Sequence, residues 1–254
     1  MSAVSVIVIA RDEERNIAAC LESVSWAAQV IVFVDDRSTD ATAELARKSG
    51  AEVYVRPWLG YAGMKSAALQ HASHAWVLWL DADERVLPEL AREIDTVLAT
   101  SPPETAFRVA RRAYFLGKWI RHCGWYPGHV TRLFRKSHAQ FNGSAVHEHL
   151  EVDGPIGTLR NDLLHFTDND LEHYFEKLNR YTSLAARDLV EGGRRVRARD
   201  LLLRPWAIFV KMYLLRGGFL DGMHGYLLSR LSAAYVLTKY AKAWQSQRDA
   251  GTGS

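Results

Sequence analysis

Apolar and polar positions along the first hundred residues fall into two textures. Short, mostly apolar runs, Val4–Ala10, Val30–Val34, Ala51–Val55 and Ala75–Leu80, are too short for buried helices and read as strands of a parallel sheet. Between them apolar residues recur at helical spacing, over Asn16–Trp26 (Ile17, Cys20, Leu21 and Val24 on one side), Ala41–Ser49, Met64–Ala72 and Pro88–Ala99. Ser38, Thr39 and Asp40 are N-cap candidates, Gly50 is a C-terminal stop, and Pro88 suits a first helical turn. Gly60–Gly63 reads as a loop. The order β-α-β-α-β-α-β-α predicts an α/β fold with a mostly parallel central sheet and short links.

The second half is less regular. Thr105–Arg111, His129–Phe134, Val146–Val152 and Thr158–Phe166 read as strands, the first two separated by the aromatic and basic stretch Tyr114–Tyr126. Leu171–Glu191 carries Tyr174, Leu178, Tyr181, Leu184 and Ala185 at helical spacing. After Gly192-Gly193 and an Arg-rich run at 194–199 come the apolar Pro205–Leu215, broken by Lys211, and an amphipathic helix over Tyr226–Trp244. A C-terminal helical extension over 167–248 is therefore expected, with a disordered tail at 249–254.

Composition narrows the classes. In 254 residues, 48% apolar content supplies a core, and a formal charge of +3 does not suggest a nucleic-acid binder. Cys20 and Cys123 have no metal or disulfide spacing, which fits a reducing, cytosolic compartment. No basic n-region or cleavage signal precedes Val4, so no signal peptide is expected. No uncharged apolar run reaches the roughly 18 residues of a transmembrane helix.

Candidate chemistry sits at the strand ends. Ala75–Leu80 runs into Asp81 and Asp83, and Val30–Val34 into Asp35-Asp36. In open α/β sheets the ligand crevice lies at the carboxyl ends of the strands. Hard oxygen donors of this kind suit Mg²⁺ or Mn²⁺, which share their shell with water and substrate phosphates. Such carboxylates repel one another unless a cation or hydrogen-bond donors accept them. One division of labour gives a metal to one pair and a nucleoside's N–H groups or ribose hydroxyls to the other. A solvated acidic turn and plain helix capping are the bland alternatives. Neither G-x-G-x-x-G nor G-x-x-x-x-G-K-[ST] is present, which argues against a dinucleotide-binding or P-loop domain.

Four segments, Val-Ile-Val-Ile-Ala-Arg-Asp-Glu-Glu (6–14), Val-Asp-Asp-Arg-Ser-Thr-Asp (34–40), the Lys65 helix and Leu-Asp-Ala-Asp-Glu (80–84), together resemble the inverting glycosyltransferases of family 2, with the GT-A nucleotide-diphospho-sugar transferase fold. Trp125-Tyr126-Pro127 through Arg132-Leu133-Phe134-Arg135, Val146–Leu150 and Gly217–Gly222 narrow this to a resemblance with the bacterial lipopolysaccharide-core β-glucosyltransferase branch. Asp12 stands where that family usually has Asn, and Ser66 where Asn often follows the Lys.

The resemblance implies a catalytic domain over 1–166, with a nucleotide-sugar half (1–104) and an acceptor half (105–166). Arg11 and Glu13 would line the nucleotide, Asp35 or Asp36 would bind the base, and Lys65 would sit near the uridine or its phosphates. Asp81 would face the ribose or the metal, and Asp83 would bind the metal directly. It implies a metal-dependent transfer of a hexose, glucose in that branch, from a UDP-sugar to a saccharide hydroxyl of a lipid-linked glycan. The site would be cytoplasmic, on the inner face of the cytoplasmic membrane.

Inverting transfer needs a base for the acceptor hydroxyl. Glu148 is the candidate, flanked by His147 and His149 on the opposite strand face. Asp162 and His165 are its rivals, and His165 could also be a metal ligand. Arg132 could hold acceptor or donor phosphates, whereas Arg135 reads as surface charge. Trp125 and Tyr126 could stack on a sugar or pack in the core. The Arg run beside apolar helices suits an anionic membrane interface or, equally, a cap packed on the catalytic domain. Transfer to polyprenyl phosphate, which needs no general base, and a non-catalytic nucleotide-sugar-binding or membrane scaffold are the competing functions.

Overall fold

The computed structural model describes residues 3–142, 149–168 and 170–251. They form two compact units. One contains the chain up to Arg112 together with Gly128–His165; the other contains Ala113–Pro127 and the chain from Phe166 onward.

The first unit opens with β1 (Val4–Ala10), α1 (Ile17–Glu22), β2 (Gln29–Asp35), α2 (Thr42–Lys48), β3 (Glu52–Arg56), α3 (Gly60–His71), β4 (Trp76–Asp81), β5 (Glu84–Val86) and α4 (Pro88–Ala99). β6 (Ala106–Phe115) follows, and the short β7 (Lys118–Trp119) belongs to the second unit. Then come β8 (Gly128–Arg135), β9 (Ala139–Asn142), β10 (His149–Val152), β11 (Ile156–Thr158) and β12 (Leu163–Asp168). The main sheet has the order β3-β2-β1-β4-β8-β6-β12-β5. The block β3-β2-β1-β4 is parallel, and β8 joins β4 antiparallel.

β1 lies at the middle of the parallel block because helices cover both of its faces. Val6 and Val8 pack with Ile17 of α1 and Leu90 and Ile94 of α4, whereas Ile7 packs with Met64 and Ala68 of α3. That two-residue alternation is the strand period, and it explains the nearly continuous apolar run in the sequence. Each fully buried aliphatic side chain contributes on the order of 1.5–3 kcal/mol.

The mostly parallel central sheet and the C-terminal helical extension are as expected. Boundaries differ in places. α3 begins at Gly60, in the stretch read as a loop, and its first glycine takes φ +77°, which costs a glycine little. The strand read over Thr158–Phe166 is broken by residues 159–162 into β11 and β12. Of Val146–Val152, the part from His149 is strand β10, and residues 146–148 lie outside the described residues.

The second unit is built on α5 (Leu171–Glu191), α6 (Ala198–Phe209), a π-helical turn (Val210–Leu215), a 3-10 turn (Gly218–Asp221) and α7 (Gly222–Gly251). Of the sequence stripe on α5, Tyr174, Leu178, Leu184 and Ala185 are half-buried but Tyr181 is exposed, and Thr182 and Ala186 are buried beside them. Lys242 of α7 donates to Asn179, Thr182 and Ser183, which pins α7 to α5. One side chain of the Arg run is structural as well: Arg194 pairs with the buried Asp200, as does Arg204 farther along α6.

Gly225 of α7 touches the backbone of the 3-10 turn: a Cβ there would lie within van der Waals distance of both Gly218 O and Asp221 Cβ. Gly225→Ala should therefore force the turn off the helix. We expect it to lower the stability of this unit by about 1–3 kcal/mol in urea unfolding, the usual cost of overpacking, whereas Gly193→Ala, with open space around it but φ +69°, should cost only the backbone strain, about 1 kcal/mol.

Candidate active site

The register of the parallel block brings three loops to one edge. Ala10 pairs with Val34 and Ile9 with Asp81, so the segments after β1, β2 and β4 leave the sheet side by side at its carboxyl end.

The first two loops are knitted together. Asp12 has φ +53° and its Oδ1 accepts the Thr39 N–H at 2.9 Å, while its own N–H donates to Ser38 Oγ at 3.0 Å. Asp and Asn are the non-glycine residues that tolerate this left-handed conformation. The Asp12 departure from the family pattern therefore preserves the loop's backbone geometry. Glu13 N–H donates to Thr42 Oγ1, and Glu14 N–H to Asp40 Oδ2. Asp40 also accepts the Thr42 N–H at 3.0 Å, but the N-cap of α2 is Ala41, one residue past the candidates Ser38, Thr39 and Asp40, and it has no side chain that could cap.

Asp35 and Asp36 part company here. Asp35 is fully buried, and Arg37 donates to both of its oxygens, at 3.0 and 2.8 Å, with Arg11 3.6 Å away. Those bonds from Arg37 hold the Asp35 carboxyl below the usual carboxylate range despite its burial. Asp36 is exposed. Asp35 thus shapes the loop and Asp36 is the carboxylate that solvent can reach. Arg37, which makes this division, was not singled out from sequence.

The third loop carries the densest charge cluster. Arg132 of β8 is 3% exposed and donates from Nη2 to Asp81 Oδ2 at 2.5 Å and to Glu84 Oε1 at 2.8 Å. Glu84 is completely buried; its Oε2 accepts the Asp81 N–H at 3.1 Å, and Arg111 approaches within 3.9 Å. Arg132 Cζ lies 3.9 Å, and Lys65 Nζ of α3 3.8 Å, from the centre of the Trp79 ring. Arg132 Nε is buried without a hydrogen-bond partner among the described residues. Burial opposes ionisation of Asp81, but Arg132, Lys65 and His165 outweigh it and hold its carboxyl low. Burial, aided by the charge of Asp81, wins at Glu84 and pushes its carboxyl up. The Asp81 side chain remains 41% exposed, so it is the member of the pair that a ligand can reach.

Asp83 points elsewhere. β5 pairs antiparallel with β12, with Glu84 opposite His165, and this brings His165 Nε2 to 3.4 Å from Asp83 Oδ2. Among the described residues no group of three or more metal-ligating side chains forms. One carboxylate with one imidazole nonetheless fits a cation that completes its shell from phosphate oxygens and water. Asp81, engaged by Arg132, is less suited to that set.

The remaining candidates are dispersed. Asp162, a rival base, is buried against Arg112 Nε at 2.6 Å. Arg135 stacks over Trp76 and donates to the carbonyls of Pro102 and Glu104, a structural role at the other end of β4. Trp125 belongs to the second unit, where its ring packs edge-on to Phe115, and Tyr126 packs against Trp119. His147 and Glu148 lie outside the described residues. Cys20 is buried beneath this loop, its Sγ 3.7 Å from the Asp81 carbonyl, and burial pushes its thiol up to about 12.

Residues 5–137, a little over half of the chain, match Glycosyl transferase family 2. The chain belongs to glycosyltransferase family 2. Across 95% of its length this glycosyltransferase is 33% identical to the lipopolysaccharide core biosynthesis glycosyltransferase LpsC of Rhizobium meliloti, covering 92% of that relative. It is 30% identical to the uncharacterized glycosyltransferase RP128 of Rickettsia prowazekii, over 95% of this chain and 87% of that one. The mannosyltransferase PcManGT of Pyrobaculum calidifontis shares the GT-A fold with it, with a TM-score of 0.54 at 16% identity over 94% of this chain and 86% of the other. The transferase is thus an enzyme of this family, built on that fold.

Proposed function

We propose that this glycosyltransferase moves a hexose from a UDP-sugar to a saccharide hydroxyl of a lipid-linked glycan, of the lipopolysaccharide-core kind, on the inner face of the cytoplasmic membrane. The observation that carries the reading is the meeting of three chemically distinct groups at one sheet edge: exposed Asp36, the Lys65–Arg132 cation pair on Trp79, and Asp83 beside His165. The likeness to LpsC over nearly the full chain supports the acceptor class.

On this reading Asp36 accepts hydrogen bonds from the base, while Arg11 and Glu13 line the nucleotide. Lys65 and Arg132 face the diphosphate, with Asp81 holding Arg132 in place and meeting the ribose. Asp83 and His165 would hold Mg²⁺ or Mn²⁺, which when bound stabilises charge on the departing diphosphate without proton transfer. Lys65 and Arg132 add to that stabilisation from fixed positions, so little reorganisation is needed as the bond to the sugar breaks. Glu148 takes the proton from the acceptor hydroxyl.

Thermal unfolding with nucleotides tests the donor. UDP with Mn²⁺ should raise the midpoint, by an amount equivalent to about 2.7 kcal/mol at 100 times Kd, and UDP alone should raise it less. PcManGT is described in complex with GDP-Man and Mn²⁺, so GDP is the informative control. A shift with GDP and none with UDP would reassign the donor, and no shift with either would remove the donor site.

A further inference from the structure

The second unit leaves one apolar face uncovered. Of the seventeen large hydrophobic side chains exposed among the described residues, nine fall between Leu202 and Tyr226. Six of these, Leu202, Leu203, Trp206, Leu215, Leu220 and Met223, are at least 62% exposed. A chain of aromatic contacts links the helix and turns that carry them. Trp206 meets Phe209, Phe209 stacks on Tyr213 at 5.3 Å, and Tyr213 meets both Phe219 and Tyr226. A contiguous apolar patch of this kind marks an interaction surface.

Its tip is held rigidly. The Asp221 carboxylate is buried and accepts the N–H groups of Arg121 and His122, at 3.3 and 2.8 Å. Gly218 is pressed onto Gly225 from the other side. Phe219 and Leu220, between these two anchors, are turned outward, 50% and 62% exposed. A side-chain pair kept in water by a fixed backbone is suited to insertion into something apolar.

Charge selects the partner. Residues 194–248 contain eleven Lys and Arg but only two acids, Asp200 and Asp221. Both acids are buried, so the charge this stretch presents to solvent is cationic, although the whole chain carries only +3. A symmetric contact with a second copy would set these cations against each other. An anionic lipid surface accepts both the cations and the apolar side chains. No helix among the described residues is long and apolar enough to cross a membrane, which leaves seating in the interface, where an exposed Trp is favoured.

We propose that Leu202–Tyr226 is a monotopic docking element that seats this unit in the headgroup region of an anionic bilayer, with Trp206, Leu215 and Leu220 inserted and the exposed arginines, Arg195 and Arg199 among them, on the lipid phosphates. The inference rests on the reading of a lipid-linked acceptor and names the element that reaches it.

Co-sedimentation of the full chain with glycan-free vesicles tests it. The wild type should pellet with phosphatidylcholine–phosphatidylglycerol vesicles, bind pure phosphatidylcholine more weakly, and lose part of its binding in high salt. Leu215→Asp and Leu220→Asp should each lower the partition coefficient roughly tenfold or more, and Arg195→Gln with Arg199→Gln should flatten the salt dependence. Trp emission should shift to the blue on vesicles and do so less in Trp206→Phe. Wild-type protein that stays in the supernatant would overturn the proposal, as would Asp variants, folded by circular dichroism, that bind as the wild type does. So would a lipid-free dimer that these variants abolish, since a second copy would then own the face. The assay needs neither donor nor turnover, so its failure leaves the transferase reading intact. Intact vesicle binding without a nucleotide-induced shift would count against the donor site alone.

Discussion

Arg132→Met should lower the stability of the first unit by about 3–5 kcal/mol at neutral pH, the usual cost of removing one partner from a buried ion pair, and the deficit should shrink as pH falls. Arg132 is the cation that both Asp81 and Glu84 contact most closely. Glu84 is already pushed up by burial, so the folded chain holds that proton more tightly than the unfolded one. Its ionisation therefore erodes stability as pH rises from the ordinary glutamate range toward its raised folded value. Without Arg132 that erosion grows, and protonating Glu84 at acid pH relieves it. Asp81 works in the opposite sense. Its carboxyl is held low, so the stability it contributes is present above the ordinary aspartate range and is lost as pH falls through its lowered value. The variant has less of that contribution to lose. Urea unfolding of wild type and variant at pH 8 and pH 5.5 checks this, and a deficit of the same size at both would sink the argument. Adding Glu84→Gln to Arg132→Met should recover part of the loss, because it removes the stranded charge.

Asp83→Ala should have the opposite profile, leaving stability within about 1 kcal/mol of wild type while transfer falls by about 10²–10³-fold or more. Asp83 is a half-buried carboxylate whose neighbour His165 lies at 3.4 Å, so its removal strands no fully buried cation of the Arg132 kind. Under the proposed reading it holds the cation that neutralises the leaving diphosphate. His165→Ala should cost less, roughly ten- to a hundredfold, and raising the metal concentration should partly restore it. The comparison is kcat/KM at saturating Mn²⁺ against unfolding midpoints of the same preparations. Full turnover in Asp83→Ala would take that residue out of the mechanism.

The local half of this architecture was legible because its signals are local. Val4–Ala10 and Ala75–Leu80 could be read as inner strands because both faces of β1 and β4 are covered and nearly every position is apolar. Pro88–Ala99 was legible to the residue because proline suits a first helical turn. The start of α3 was missed because two glycines within four residues resemble a loop, although Gly60 can begin a helix with positive φ. The charge cluster was only partly visible. The acidic strand ends stand out in sequence, but their partners arrive from elsewhere: Arg132 through the β4–β8 pairing and His165 through the β5–β12 pairing. No periodicity announces a contact between residues 84 and 132. Glu84 in particular reads as one more charge in an acidic turn, and only the tertiary fold buries it. The sorting of Asp35 from Asp36 was equally hidden, since it depends on the direction Arg37 takes after the strand ends.

The burial of Cys20 and Cys123 has a practical corollary. Both thiols are buried, and burial raises both, Cys20 to about 12. Only the thiolate reacts with maleimides and related reagents, so neither should compete for label near pH 7. The wild-type background is therefore already suited to single-site attachment. A cysteine introduced at Leu220 could carry a polarity-sensitive dye, and one at Asp36 a spin label, without first removing the native pair. Each unit could then be followed by its own reporter in the intact enzyme.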